Sequence, residues 1–273
     1  MTLNLRNARD FVYANGVLWE RLIFGHLFEG RSVQPVLAAL RAYKNSDNGF
    51  GNALEHDLRC PDSHPLALEF LLRVLRRTGI NPGDLLDGTA HWVEMQRRED
   101  GSLGNPAALL DYPHAPWWND GGQTAPDSIT GHLLHFGRCS PSLAASTRRW
   151  VEANLTLESL RAIDWLFMNY HAHDYFMQVD DFPALEELRE ATIANILRCA
   201  EAAPASQHVV FFDFAPTPHA PLALAAENAL IERCLATVAN GQQEDGGWWD
   251  EHHLPQWRSW TTICNLLTLR AFG

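Results

Sequence analysis

Two carboxylates, an imidazole and a guanidinium crowd into Glu55-His56-Asp57-Leu58-Arg59, which runs on into Asp62-Ser63-His64. In an extended segment Glu55, Asp57 and Arg59 project to the same side. That set makes a polar site in which Asp57 or Glu55 serves as acid or base; an ion-paired loop bracing the fold is the competing reading. Glu69 is the single charge in Pro65-Leu66-Ala67-Leu68-Glu69-Phe70-Leu71-Leu72. A carboxylate there must be paired, with Arg73 one turn on as the obvious partner, or protonated with a raised pKa, which suits a general acid. His64 and His114 are candidate proton relays, and Arg59 or Arg258 would orient an anionic group.

The string Asp111-Tyr112-Pro113-His114-Ala115-Pro116-Trp117-Trp118-Asn119-Asp120 is a proline-stiffened loop. It reads as a lid or specificity loop that sets His114, Trp117 and Trp118 over a cavity, or as tryptophans that seal one end of the core. Trp257 is a further pocket-lining aromatic, and Asp213, His219 and Arg258 complete the candidate rim. His132 and His135 lie within an apolar helix. His171-Ala172-His173-Asp174 has metal-ligand residue types, but on a helix His171 and His173 face different directions, so no metal site is assigned. No Ser–His–Asp arrangement, phosphate-binding glycine loop or dinucleotide fingerprint is present.

The chain has 273 residues, 46% of them hydrophobic, enough for one sizeable core. Its net charge of −12 repels phosphate backbones, so no nucleic-acid partner is expected. No apolar run reaches the ~20 residues of a membrane span. Met1-Thr2-Leu3-Asn4-Leu5-Arg6 lacks the pattern of a secretory signal. Five scattered cysteines without a C-x-x-C suit reduced thiols, and a cytoplasmic location is expected. Oligomeric state is left open.

The elements that would position these groups are helical. Apolar stripes at helix spacing mark 33–43, 65–75, 84–95, 142–151, 185–197, 221–238 and 260–269, with 157–179 as a longer candidate. His208 to Phe214 is the only β-like run. Turns recur at Asp47-Asn48-Gly49, Asp100-Gly101-Ser102 and Asp245-Gly246-Gly247, each followed by a loop and an apolar helix. Ser63, Ser128 and Ser259 stand at the matching helix starts, as expected N-caps; a left-handed residue in each turn would end the preceding helix. Asp47 to Ser63 spans 16 residues and Asp245 to Ser259 spans 14, but Asp100 to Ser128 spans 28, so the tryptophan loop is an insertion. The expected architecture is all-α: a single domain, 1–273, of five to six helical hairpins closed into an α/α toroid, with an open solenoid as the alternative.

Gln242-Gln243-Glu244-Asp245-Gly246-Gly247-Trp248, and Ala90 to Gln96 followed by Asp100-Gly101-Ser102, resemble the QW repeats of squalene cyclases. The chain is thus similar to the terpenoid cyclase and protein prenyltransferase toroids, and to short bacterial prenyltransferase-like proteins through Tyr112 to Trp118 and Asp213 to Pro218. The resemblance implies a central cavity for a small, largely apolar, isoprenoid-derived molecule. In cyclases the aromatic wall, here Trp257, shields carbocations by cation–π attraction. The family's acids are displaced: Gln178-Val179-Asp180-Asp181 loses the first Asp of Asp-x-Asp-Asp, and Asp57-Leu58-Arg59-Cys60 has one residue too many for the zinc pair of prenyltransferases. The expected activity is cyclisation, isomerisation or dehydration by Asp57, Glu55 or Glu69, without a required cofactor. A non-catalytic ligand- or partner-binding toroid is the alternative, and a zinc-dependent prenyltransferase-like transferase the weaker one; Mg²⁺ and Zn²⁺ are the metals to test.

Overall fold

The computed structural model describes residues 4–118 and 122–273. Met1 to Leu3, and Asn119 and Asp120 of the tryptophan loop, lie outside the described residues. The described chain is mostly helical. In order come α1 (Leu5–Asn15), α2 (Leu18–Glu29), α3 (Gln34–Arg41), α4 (Pro65–Thr78), α5 (Thr89–Met95), α6 (Asp127–His135) and α7 (Pro141–Asn154). Then follow α8 (Leu157–Ala162), α9 (Tyr170–Phe176), α10 (Leu185–Ala202), α11 (His208–Phe214), α12 (Pro221–Ala225), α13 (Asn228–Asn240) and α14 (Arg258–Phe272). A two-residue ribbon, β1 (Leu103–Gly104) with β2 (Gln123–Thr124), pairs antiparallel across the insertion. No described helix is long and apolar enough to cross a membrane.

Three expected elements differ. His208 to Phe214 is helical because it buries His208, Val210, Phe211, Phe212 and Phe214 while packing on α13, and tertiary packing overrides strand propensity. The 157–179 helix breaks after α8. There the Ile163 carbonyl accepts from the side chains of Asn195 (3.1 Å) and Cys199 (3.4 Å). The 221–238 helix breaks because Ala226 and Glu227 are extended.

The described contacts gather into two compact units. In the first (Met1–Val36, Ile163–Asn169, Ile193–Gly273), α14 packs on α1, α2 and α13 around buried Trp19, Ile23, Phe24 and Trp248. The Gln242 side chain accepts from the Asn4 amide and donates to the Asn4 and Gly246 carbonyls, tying the turn to the start of α1. Trp248 fills the space under that turn, its indole donating to the Val238 carbonyl at 2.7 Å. The Gln and Trp of this repeat thus hold the fold together. Arg258 makes two 2.8 Å bonds to Asp245 and lies over the rings of Phe11 (4.5 Å) and Trp249 (4.1 Å).

The second unit (Leu37–Ala162, Tyr170–Thr192) is built on α4, α6, α7 and α9. In α4, Pro65 opens the helix and left-handed Gly79 ends it. Its N-cap is His64, not Ser63: the His64 ring accepts from the Ala67 amide, while Ser63 donates to Asp47 at 2.8 Å. Ser128 and Ser259 likewise fall inside the first turns of α6 and α14 rather than at their caps. Asp47 also accepts from the Gly49 amide and the Trp92 indole, so the turn is locked to the next helix start. The left-handed residue is Asn48, Gly101 or Gly246 in the three turns.

At Gly131, α6 meets the backbone of α9. A Cβ there would stand 1.9 Å from the Asp174 carbonyl oxygen and 2.9 Å from Tyr175 Cα. Neither atom can step aside without moving a helix. Gly131→Ala is expected to destabilise the fold by at least ~2 kcal/mol despite the better helix propensity of Ala. In urea denaturation Gly104→Ala, whose added Cβ would meet nothing closer than 3.5 Å, serves as the control and should stay within about 0.5 kcal/mol of the parent.

Candidate functional site

The close approach of α6 and α9 brings together polar side chains that neither helix could bury alone. Asp127 opens α6 and is fully buried; its Oδ1 lies 2.8 Å from His171 Nδ1 on α9. Asp174, one turn further along α9, faces back to α6. Its Oδ2 accepts from Ser128 Oγ at 3.0 Å and its Oδ1 lies 3.1 Å from His173 Nδ1. His132 Nε2 stands 3.1 Å from Asp174 Oδ2 but off the line of a well-aligned hydrogen bond. From α4, Glu69 Oε2 accepts from the Tyr170 hydroxyl at 3.3 Å. The Tyr170 ring lies against the His171 ring, centroids 4.0 Å apart, and carries the Arg73 guanidinium 5.0 Å from its centre.

Burial and charge oppose each other here. Burial disfavours the imidazolium of His171, but the Asp127 charge and hydrogen bond, helped by Glu69 and Asp174, carry its pKa up to about 9. For Asp174 burial favours the neutral acid, and His132 and His173 outweigh it, holding the carboxyl well below its ordinary range. Glu69 has the reverse balance. Burial raises its pKa, and His171 and Arg73 only partly offset the rise. Burial and the nearby Glu69 charge also raise the Tyr170 phenol. Four buried atoms of this cluster have no hydrogen-bond partner: Glu69 Oε1, Asp127 Oδ2 and both ring nitrogens of His132, of which Nε2 makes only the ion-pair contact to Asp174. Buried polar atoms are rarely left so.

The 55–59 segment and the tryptophan loop also meet. Leu58 bridges His114, the Arg59 amide donates to the Pro113 carbonyl at 3.0 Å, and the Ala115 amide donates to the Asp57 carbonyl at 2.9 Å. Glu55 and Asp57 are both buried, and Glu55 Oε2 accepts from the Asp57 amide at 2.8 Å. Burial, then the Asp57 charge, push the Glu55 carboxyl well above its ordinary value. Arg59 is exposed. Trp118 packs against buried Leu58, Cys60 and Leu109, whereas Trp117 is 46% exposed. His114 is exposed, its Nδ1 2.7 Å from the Tyr112 carbonyl.

His64 is fully buried, and burial lowers its pKa to about 4. Because its Nδ1 accepts from the Ala67 amide, the neutral ring carries its proton on Nε2. Such a ring caps a helix; it does not relay protons near neutral pH. Asp213, Trp257 and Arg258 belong to the first unit. Asp213 is exposed, Trp257 half-buried, and the Arg258 guanidinium is already committed to Asp245 and two rings. Among the described residues no group of three or more His, Cys, Asp or Glu is arranged to hold a metal ion. Sequence reasoning missed Asp127 and Tyr170. The available signal for Asp127 is a carboxylate at the first position of an apolar helix. Comparison with known proteins finds no match: no family model, no curated protein and no solved structure corresponds to this chain.

The His171 pKa has a consequence for stability. It is raised from 6.5 to about 9, so the stabilisation is fully present below pH 6.5 and is lost as pH rises through about 9. The loss between these limits should reach at most ~3 kcal/mol. Urea denaturation across this range should show the decline in the parent and a flatter profile in His171→Gln. An unchanged slope in the variant would remove His171 from the account.

Proposed function

We propose that this chain is an acid–base enzyme for a small, largely apolar molecule, with Glu69 as the proton donor. One observation carries the reading: Glu69 is a buried carboxyl whose Oε1 is unpaired while its Oε2 accepts from Tyr170. Burial raises the Glu69 pKa and so favours the protonated acid. Once the proton leaves, the Tyr170 hydroxyl, the Arg73 cation near that ring and the His171 imidazolium stabilise the new carboxylate. The group is therefore poised to give up a proton and take it back. Asp127 holds His171 charged and oriented. The resemblance to cyclase toroids, with an isoprenoid-derived ligand in a cavity, is part of this proposal, and it supplies the substrates to try first.

A non-catalytic binding protein is the second reading, favoured by the displaced Asp-x-Asp-Asp string at Gln178 to Asp181. The two separate by assay. The protein is incubated with isoprenoid alcohols and diphosphates, with and without Mg²⁺, and products are followed by mass spectrometry. Turnover that falls ~10²- to 10⁴-fold in Glu69→Gln, with the thermal midpoint retained, supports the enzyme. Asp57→Asn should leave turnover within about threefold, since Asp57 contributes its backbone to the loop pairing. Equal turnover in Glu69→Gln and the parent would contradict the assignment.

A further inference from the structure

The C-terminal ends of α4 and α6 border a cleft of about 280 Å³ in the second unit. Leu75, Ile80, Pro82 and Phe136 supply its apolar wall, and Arg76, Asn81 and His135 its polar one. The chain's own contacts fix these walls. Left-handed Gly79 ends α4, and left-handed Gly137 follows α6. Arg138 donates to the Gly83 carbonyl at 2.6 Å and pairs with Asp87 at 3.0 Å, which ties the loop after α4 to the chain after α6. The His135 ring packs edge-on against Phe136, centroids 4.9 Å apart. Leu75, Ile80 and Pro82 are buried, while Arg76, Asn81 and His135 are open to solvent.

The polar side of the cleft offers donors. Arg76 Nη1 donates to the His135 ring, 2.6 Å from Nε2, and the Arg76 Nη2 and Nε atoms have no described partner. No described carboxylate lies within ion-pair distance of Arg76: Asp174 acts on it from further off and is engaged by Ser128 and His173. The chain has 33 acidic and 21 basic residues, and Arg41, Arg138, Arg233 and Arg258 each hold an acid, so a guanidinium left facing a cleft stands out. Asn81 Oδ1 accepts from the Gly83 amide at 2.9 Å, which leaves Nδ2 as the end that donates. Arginine stays charged at any ordinary pH, and the Gly83 amide fixes the Asn81 side chain, so both donors hold without a titration. A matching ligand accepts at one end and is apolar at the other. We infer that the cleft binds a small aliphatic carboxylic acid as its anion, with Arg76 and Asn81 donating to the carboxylate and the apolar wall holding the tail. A phosphate dianion fits less well, because one guanidinium opposes two charges and the carbonyl ends of both helices add to the repulsion. The cleft lies about two turns along α4 from Glu69, and it stands whether or not the acid–base reading does.

The test is calorimetric titration of the full chain with hexanoate, against hexanol as the neutral tail, acetate as the bare head and inorganic phosphate as the dianion. Hexanoate should saturate one site and bind at least about tenfold more tightly than each of the other three. Backbone amide NMR should place the accompanying shifts at residues 75–82 and 135–138. Arg76→Gln should weaken hexanoate at least about tenfold, and Arg76→Lys less, since lysine keeps the charge but loses the fork. Asn81→Asp keeps an oxygen for the Gly83 amide and sets a like charge where the donor stood. It should weaken hexanoate about tenfold too, and as a solvent-exposed substitution it keeps the test open if Arg76→Gln fails to fold. No saturable binding, any of the three controls binding as tightly as hexanoate, or full affinity in both Arg76→Gln and Asn81→Asp would overturn the inference. Glu69→Gln should leave hexanoate affinity within about twofold; a loss as large as that of Arg76→Gln would put the ligand at Glu69 and overturn the cleft, whereas lost turnover with unchanged hexanoate affinity separates the two sites.

Discussion

Helix α9 passes so near α6 at Gly131 that no side chain fits between them, and the polar site of the second unit depends on that contact. Small residues allow close backbone approach, and close approach puts short acidic side chains within reach of rings on the opposite helix. Asp127 meets His171 and Asp174 meets Ser128 and His173 across this seam. Apolar burial by Ile129, Leu133, Tyr175 and Phe176 drives the helices together. The acid–imidazole contacts then decide the register, because a shifted helix would leave buried charge uncompensated.

The two units use charge differently. In the first, the Arg258 guanidinium lies over the rings of Phe11 and Trp249, and its two terminal nitrogens both bond Asp245 and fix the turn. In the second, four buried atoms of the α4–α6–α9 cluster, on Glu69, Asp127 and His132, lack a hydrogen-bond partner. A fully satisfied network is rigid and stabilising; a partly satisfied one costs stability and is kept where a ligand completes it. That contrast is the reason for placing chemistry at Glu69 rather than at the ion pair of Arg258.

Helical periodicity made most of the fold legible. The stripes at 33–43, 65–75 and 185–197 lie on α3, α4 and α10, because one-sided burial leaves a period that can be counted. His208 to Phe214 escaped because an apolar run of seven residues reads equally as strand or buried helix. Glu69 was visible as a lone carboxylate in apolar surroundings. Asp127 was not, since its partner lies 44 residues away and no local spacing reports a contact between separate helices. Arg258 looked available for an anion for the same reason: Asp245, which occupies it, lies 13 residues upstream. His64 misled by type, as burial turned a candidate relay into a neutral cap.

The account stands on a charged His171 held by Asp127. Nitrogen-15 NMR of the histidine rings, assigned through His171→Gln and followed from pH 5 to 10, measures that charge at the atom concerned. The account predicts a His171 ring that keeps both protons through neutral pH and titrates near pH 9, with its Nδ1 proton shifted downfield by the carboxylate. A His171 titration near the ordinary 6.5, or a neutral tautomer at pH 7, would contradict it.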